Sequence, residues 1–335
     1  MQTKLEQLAN DIANIISDYE VNIDKCIPND YSHVLKWVEQ FPDDGTLCGK
    51  SIINLREFIL EQTLCLLQKS YFSKSDYLEF IDGLLVDLDS ETIDIIKASS
   101  FLNIQKNGCS QSHFLEELSK AFYDKYKITL NININSSDNY YYIDDFSFTG
   151  DRIYNDLEGW IRFHAPDECY ITIITICSHT YGNYNLNKSL KKLANETGKS
   201  IKFEIKSLLN DYKNDLSNRD KSDVFWLKHG NLYNRSGFID GSIIFDNSEN
   251  RDIFEEIIFE AGKHIISLCQ NPSSVMKPLG YSRISSHMGF GGTIFSYKNC
   301  PNTTPLAFWW GDPNADSSSP LSKWYPLFIR RIYNE

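Results

Sequence analysis

Two adjacent carboxylates, Asp144 and Asp145, end the run Tyr140-Tyr141-Tyr142-Ile143 and are followed by Phe146-Ser147-Phe148-Thr149-Gly150-Asp151-Arg152. The run has the aromatic and branched composition of a strand. The polar segment after it holds a Thr and a Gly and opens a helical stretch. In open α/β sheets ligands sit just beyond the carboxyl ends of the strands. A helix N-terminus there turns unpaired N–H groups and a positive dipole end toward a phosphate. Thr149 adds a hydroxyl, and Gly150 lets the backbone come close to a ligand with no Cβ in the way. Asp144 and Asp145 can accept hydrogen bonds from ribose hydroxyls or hold Mg2+ through water. The chemistry expected here is the binding of a sugar phosphate with its metal.

The same residues resemble the phosphoribosyl-pyrophosphate signature of type I phosphoribosyltransferases, an apolar strand, two acidic residues and a small-residue phosphate loop. Asp144 and Asp145 match the acidic pair, and residues 146–152 match the loop that wraps the 5′-phosphate. That family often has Gly or Thr where this chain has Asp151 and Arg152. A carboxylate beside a phosphate is unfavourable, and Arg152 offsets it as a charge-assisted donor. The resemblance also implies a pyrophosphate loop in a strand–loop–helix unit upstream. A strand over 98–104, a polar loop over 105–111 and a helix over 112–126 supply one. Lys106, Asn107, Gly108 and Ser110 suit it, with a cation and a glycine that lets backbone N–H groups face an anion. The other reading of these residues is an ordinary turn between strand and helix.

The elements around these residues are read from periodicity. Residues 3–19 carry a capping box, Thr3 with Glu6, and an apolar stripe. Further helices are expected over 31–41, 51–70 and 75–86, and no strand-like alternation occurs in this first quarter. Residues 128–134 alternate as a strand, 152–163 form a helix, and 168–177 is a β-branched run of the kind buried on both faces. A helix over 187–197 ends at Gly198, a strand covers 201–205, and 210–223 is a polar, lid-like connection. A last long helix lies within 248–268. This order indicates an α/β fold, a parallel sheet flanked by helices on both faces. The expected parts are a helical N-terminal region (1–90), a phosphoribosyltransferase-like core (91–270) and a C-terminal strand and aromatic extension (271–335) packing on the core.

Two other stretches imitate anion sites. Gly45-Thr46-Leu47-Cys48-Gly49-Lys50-Ser51 looks like a P-loop, but three residues separate its glycines where four are needed, and a helix precedes it. It is expected to be a helix–helix loop. Gly289-Phe290-Gly291-Gly292-Thr293 could cradle a phosphate or only permit tight backbone packing. Of the seven histidines, none forms a Ser/His/Asp or H-x-x-x-H arrangement; His113 and His287 lie near proposed loops and read as structural. The eight cysteines show no C-x-x-C pair and read as free thiols, mostly buried.

Trp37-Val38-Glu39-Gln40-Phe41 near the start and Pro301-Asn302-Thr303-Thr304-Pro305-Leu306-Ala307-Phe308-Trp309 near the end extend the likeness over most of the chain. The whole resembles the PRTase-CE family of bacterial conflict systems, whose members include effectors encoded beside retron reverse transcriptases. The resemblance implies an antiviral defence role and a phosphoribosyl pyrophosphate substrate with Mg2+, held by Asp144 and Asp145 and turned over by transfer or hydrolysis. It implies Ser147, Phe148, Thr149, Gly150, Asp151, Arg152, Lys106, Asn107, Gly108 and Ser110 as substrate contacts. A reverse transcriptase with its msDNA, or an HTH protein, is the implied partner. An inactive sensor or an interaction subunit is the alternative. The net charge of −12 over 335 residues argues against a broad nucleic-acid or anionic-membrane surface. No apolar run of membrane-spanning length and no signal pattern are seen, so a soluble, cytoplasmic protein is expected.

Overall fold

The computed structural model describes residues 2–47, 49–106, 110–213, 222–227, 242–245, 247–282 and 288–330. Helix α1 (Lys4–Ile15) begins on the expected capping box, with Thr3 Oγ1 accepting from Glu6 N at 3.2 Å and Glu6 Oε2 accepting from Thr3 N at 2.8 Å. Helices α2 (Glu20–Asp24) and α3 (Tyr31–Val38) follow, the latter capped by the Asp30 carboxylate. The P-loop lookalike is neither a phosphate loop nor a plain helix connection. Strands β1 (Gly45–Leu47) and β2 (Lys50–Ile52) pair as an antiparallel hairpin, and Lys50 forms an ion pair with Glu249. Then come α4 (Leu55–Ser70), β3 (Tyr71–Phe72), α5 (Lys74–Leu84), α6 (Ser90–Ala98), β4 (Ser100–Leu102) and α7 (Ser110–Tyr126). The chain continues through β5 (Asn139–Ser147), α8 (Asp151–Phe163), β6 (Glu168–His179), α9 (Thr180–Thr197) and β7 (Ser200–Tyr212). It ends with α10 (Ser248–Leu268), β8 (Phe295–Ser296) and α11 (Leu306–Trp309).

Contacts sort the chain into two compact units, residues 1–76 with 215–335, and residues 77–214. The N-terminal helices and the C-terminal residues, expected as separate parts, thus share one unit, and α10 belongs with them rather than with the sheet. The physical reason is a seam of aromatic side chains drawn from both ends of the chain. Trp37 stacks on Phe308 at 5.6 Å and donates its indole N–H to the Ala307 carbonyl at 2.8 Å. Gln40 donates to the Tyr325 carbonyl and accepts from Tyr325 N. Tyr19 donates to the Ile329 carbonyl and accepts from Cys300 N. The glycine run packs in the same unit: Gly291 N donates to the Leu279 carbonyl and Gly292 N to the Thr303 carbonyl. Those N–H groups are spent on the fold, so the packing reading of the run holds and the phosphate reading does not.

The second unit carries a parallel sheet in the order β4-β5-β6-β7, flanked by helices. Alternate residues of its strands, among them Tyr140, Tyr142, Ile171 and Ile173, pack with Leu157 and Trp160 of α8 and Leu190 of α9. Burial of such side chains, each contributing about 1.5–3 kcal/mol, is what holds the helices to the sheet. The expected strand over 128–134 shrinks to one bridge, in which Phe101 N donates to the Asn131 carbonyl and Asn133 N to the Phe101 carbonyl. Phe101 spends its backbone groups on that side, while β5 lies along the other edge of β4. The chain therefore leaves β4, returns beside one edge and crosses to the other. That reversal makes the tips of β4 and β5 a topological switch point.

Two strands run longer than their periodicity suggested. β6 reaches His179 and β7 reaches Tyr212, so the start of the expected lid is sheet, and α9 begins seven residues early at Thr180. Nor is β6 buried on both faces throughout. Tyr170 is 51% exposed, and only Thr175 through His179 are continuously buried. The strand tips, not its middle, are the enclosed part.

Candidate functional site

Successive residues of a strand point to opposite faces, so Asp144 and Asp145 diverge at the end of β5. Asp144 lies on the helix-covered face with Tyr140 and Tyr142 and is 1% exposed. Its Oδ1 accepts from Ser110 Oγ at 2.9 Å and from Asp145 N at 2.9 Å. Tyr142 donates its hydroxyl to Asp156 Oδ2 at 3.0 Å and lies 3.5 Å from Asp144 Oδ2. Burial, then the neighbouring Asp145 charge, pushes the Asp144 carboxyl well above the ordinary 3.8. Burial likewise raises Asp156 and, joined by the two carboxyls, raises the Tyr142 phenol well above 10.0. Asp145 is half-buried, and its Oδ1 accepts from Phe146 N at 2.8 Å.

The loop from Ser147 to Gly150 delivers the chain into α8. Gly150 has a φ of 79°, which a side chain resists, and a Cβ there would stand 2.8 Å from the Gly182 carbonyl. The space a Cβ would need is filled by α9, so the glycine answers to backbone angle and packing rather than to ligand approach. Thr149 Oγ1 accepts from Asp151 N at 3.3 Å. Asp151 and Arg152 are exposed in the first turn of α8, and the Arg152 charge reaches far enough to lower both Tyr142 and Asp156. Ser147 is 3% exposed, and its Oγ has no hydrogen-bond partner among the described residues. Phe148 packs beside the His179 ring at 5.4 Å.

The described ends of the upstream loop meet β5 and α8. Ser110, at the start of α7, reaches Asp144, and Gln105 Nε2 donates to Ser110 Oγ at 3.0 Å. Lys106 donates its backbone N–H to Asp156 Oδ1 at 3.0 Å and its Nζ to the Asn155 carbonyl at 2.6 Å. Asn107 and Gly108 lie outside the described residues, as does His287; His113 is exposed on α7.

Three participants escaped the sequence reading. Asp156 is 4% exposed on a helix whose other inward residues, Ile153, Leu157 and Trp160, are apolar. A carboxylate within that stripe was the available signal. In the sequence Tyr142 reads only as a strand former, although every second residue of β5 has to face the helices. His179 is fully buried at the end of β6, where burial lowers its pKa to about 3. It carried no signal, because the periodicity ended the strand before it. Among the described residues no disulfide forms, and no helix is long and apolar enough to cross a membrane.

Comparison with solved structures finds orotate phosphoribosyltransferase from Aeropyrum pernix at 15% identity, covering 48% of this chain and 84% of that one, with a TM-score of 0.22. The orotate phosphoribosyltransferase of Mycobacterium tuberculosis H37Rv in complex with 5-phospho-alpha-D-ribosyl 1-diphosphate matches at 10% identity. It covers 61% of this chain and 96% of that one, with a TM-score of 0.20. Scores this low add nothing to a family assignment. No curated protein matches. The sequence itself decides: the PRTase-CE family model matches residues 34–330, nearly the whole chain, from before Trp37 to beyond the aromatic tail. The protein with these strand tips belongs to the phosphoribosyltransferase-like PRTase-CE family.

Proposed function

We propose that the tips of β4 and β5 bind 5-phosphoribosyl 1-pyrophosphate with Mg2+ and that the chain transfers or hydrolyses its phosphoribosyl group. The observation that carries this reading is the Ser110–Asp144 hydrogen bond, which joins the start of α7 to the tip of β5 at the switch point of the sheet. The 5′-phosphate would sit at the first turn of α8, with Thr149, Arg152 and the unmatched Ser147 hydroxyl as donors. Asp145, with Asp144 behind it, would hold the ribose hydroxyls, and the segment between Lys106 and Ser110 would receive the pyrophosphate.

Among the described residues no group of three His, Cys, Asp or Glu side chains could hold a metal, and the strand tip itself offers the two carboxylates of Asp144 and Asp145. Magnesium is commonly held by one or two carboxylates together with phosphate oxygens and water. That fits Asp145 as the ligand, directly or through water, and Asp144 as its support. When bound, the ion neutralises charge growing on the departing pyrophosphate. In the reaction the C1–oxygen bond breaks and its electron pair leaves with pyrophosphate. A lone pair of the acceptor, or of water, forms the new bond to C1, and the acceptor's proton passes to solvent. Positive charge builds on the ribose in between, as in other glycosyl transfers, and the Asp145 carboxylate favours it. The test is pyrophosphate release from this substrate by wild type and by Asp145→Asn. Turnover that falls at least about 100-fold in the variant supports the reading; wild-type release no faster than buffer refutes the chemistry.

The family resemblance supports a setting in bacterial antiviral defence, as effector beside a reverse transcriptase with its msDNA or an HTH protein. The acidic charge favours a protein contact over bare DNA. One observation favours a second reading, a sensor that binds without turnover. Asp144 is enclosed and biased toward its protonated form, a state suited to shaping a site rather than stabilising a cation. Binding without release of pyrophosphate would select it.

A further inference from the structure

At the end of β4 the backbone loses its strand partners, and each N–H must find another acceptor or remain unsatisfied. Four in succession find side chains. Asn103 N donates to Asn133 Oδ1 at 2.9 Å, Ile104 N and Gln105 N to Gln111 Oε1 at 2.8 and 3.0 Å, and Lys106 N to Asp156 Oδ1 at 3.0 Å. Gln111 is fully buried and Asp156 is 4% exposed. A carboxamide oxygen that bridges two adjacent N–H groups fixes the direction in which the chain leaves the sheet. The carboxylate on α8 fixes the next residue, and Gln105 Oε1 accepts from Gln111 N at 3.3 Å to close the ring. The Gln111 Nε2, buried and without a hydrogen-bond partner among the described residues, leaves a donor over.

We propose that Gln111 and Asp156 are positioning residues, a clamp that sets how Gln105 and Lys106 leave the sheet and holds Ser110 in register with Asp144. The proposal rests on the reading of residues 106–110 as the pyrophosphate side of the site. The four captured N–H groups are spent, so the clamp does not itself bind an anion. It fixes the position of Lys106. The link to Asp144 runs from Gln105 Nε2 through Ser110 Oγ, so a loosened neck also loosens one of the two hydrogen bonds on Asp144 Oδ1.

The experiment uses the full chain with two probes, magnesium pyrophosphate for this loop and ribose 5-phosphate for the loop at 147–151, together with amide hydrogen exchange. Gln111→Met keeps the side chain's shape and removes the oxygen; Asp156→Ala removes the other. Each should speed exchange at Ile104, Gln105 and Lys106 by about tenfold and leave β6 protected. Each should weaken pyrophosphate by about five- to tenfold and ribose 5-phosphate by less than about twofold. Gln111→Glu and Asp156→Asn, which keep the accepting oxygen, should recover most of the exchange protection. Equal loss of both probes would reveal a merely structural role and overturn the clamp, as would unchanged exchange or unchanged pyrophosphate affinity. If Asp156→Ala does not fold, Gln111→Met decides. If wild type binds neither probe, the proposed function fails, and unchanged exchange in Gln111→Met would then dispose of the clamp as well.

Discussion

Trp37 and Asp144 are both almost wholly buried, at 0% and 1% exposure, yet their surroundings treat them oppositely. The indole N–H of Trp37 meets the Ala307 carbonyl, and its ring stacks on Phe308. Even the charges buried in that unit are answered. Arg251 and Glu255 pair at 2.9 Å, with further bonds to the Ser222 and Val224 carbonyls and from Trp226 N. Among the described residues no cationic side chain bonds to Asp144. It has the Ser110 and Tyr142 hydroxyls, one N–H and a neighbouring carboxylate, and burial with that carboxylate raises its proton affinity. A buried acid without a counter-charge costs stability, and such groups concentrate where a ligand is handled. The seam builds the unit; the strand tips hold free energy back for a cation or a hydroxyl to recover.

The largest effect that would break this contrast lies in the seam. Trp37→Ala should cost about 3–5 kcal/mol, the usual toll for emptying a large buried aromatic, as a lowered denaturant midpoint. A loss below about 1 kcal/mol would show that the seam is not the core of its unit. Next comes Gly150→Ala, which meets both a positive φ and the Gly182 carbonyl. It should destabilise by about 2 kcal/mol, read in the same melts, and weaken ribose 5-phosphate binding in parallel.

Asp144→Asn should act in the opposite direction and stabilise the unliganded chain by about 1–2 kcal/mol. The gain depends on pH. Because the folded Asp144 carboxyl is raised above its unfolded value of 3.8, its contribution to stability is present below that value and is lost as pH rises through the folded one. The advantage of the variant should therefore widen between pH 4 and 7 in thermal melts. A variant less stable than wild type at pH 7 would mean that the carboxylate is compensated after all.

The smallest effect appears only on acidification. His179, lowered from 6.5 to about 3, is held neutral in the fold, so its contribution is complete above pH 6.5 and is lost as pH falls toward 3. Wild type should lose more stability between pH 7 and 5 than His179→Gln does. Parallel melting curves would remove His179 from the support of the phosphate loop.

How much of this was legible beforehand follows the same division. The acidic pair, the Thr3–Glu6 capping box and the succession of β5, α8, β6, α9 and β7 are local patterns, and they appear in the expected order. The partners of those residues are not local. Asp156 lies twelve residues beyond Asp144 on another element, and nothing short of the fold brings its carboxylate under Tyr142. The hairpin over Gly45–Leu47 and Lys50–Ile52 displaced the expected helix–helix loop because Gly49, at a φ of 77°, supplies the tight turn between the two strands. The grouping of both chain ends into one unit was missed because Trp37 and Phe308 announce themselves only as apolar. Their pairing is a tertiary fact.

The central claim is that a sugar phosphate with its metal completes the strand tips. Calorimetric titration of the full chain with phosphoribosyl pyrophosphate and Mg2+, beside the Asp144→Asn/Asp145→Asn double variant, tests it most directly. The account predicts saturable, magnesium-dependent binding by wild type and at least about 100-fold weaker binding by a double variant that melts no lower. Equal binding by the two proteins, or none by a folded wild type, would contradict it.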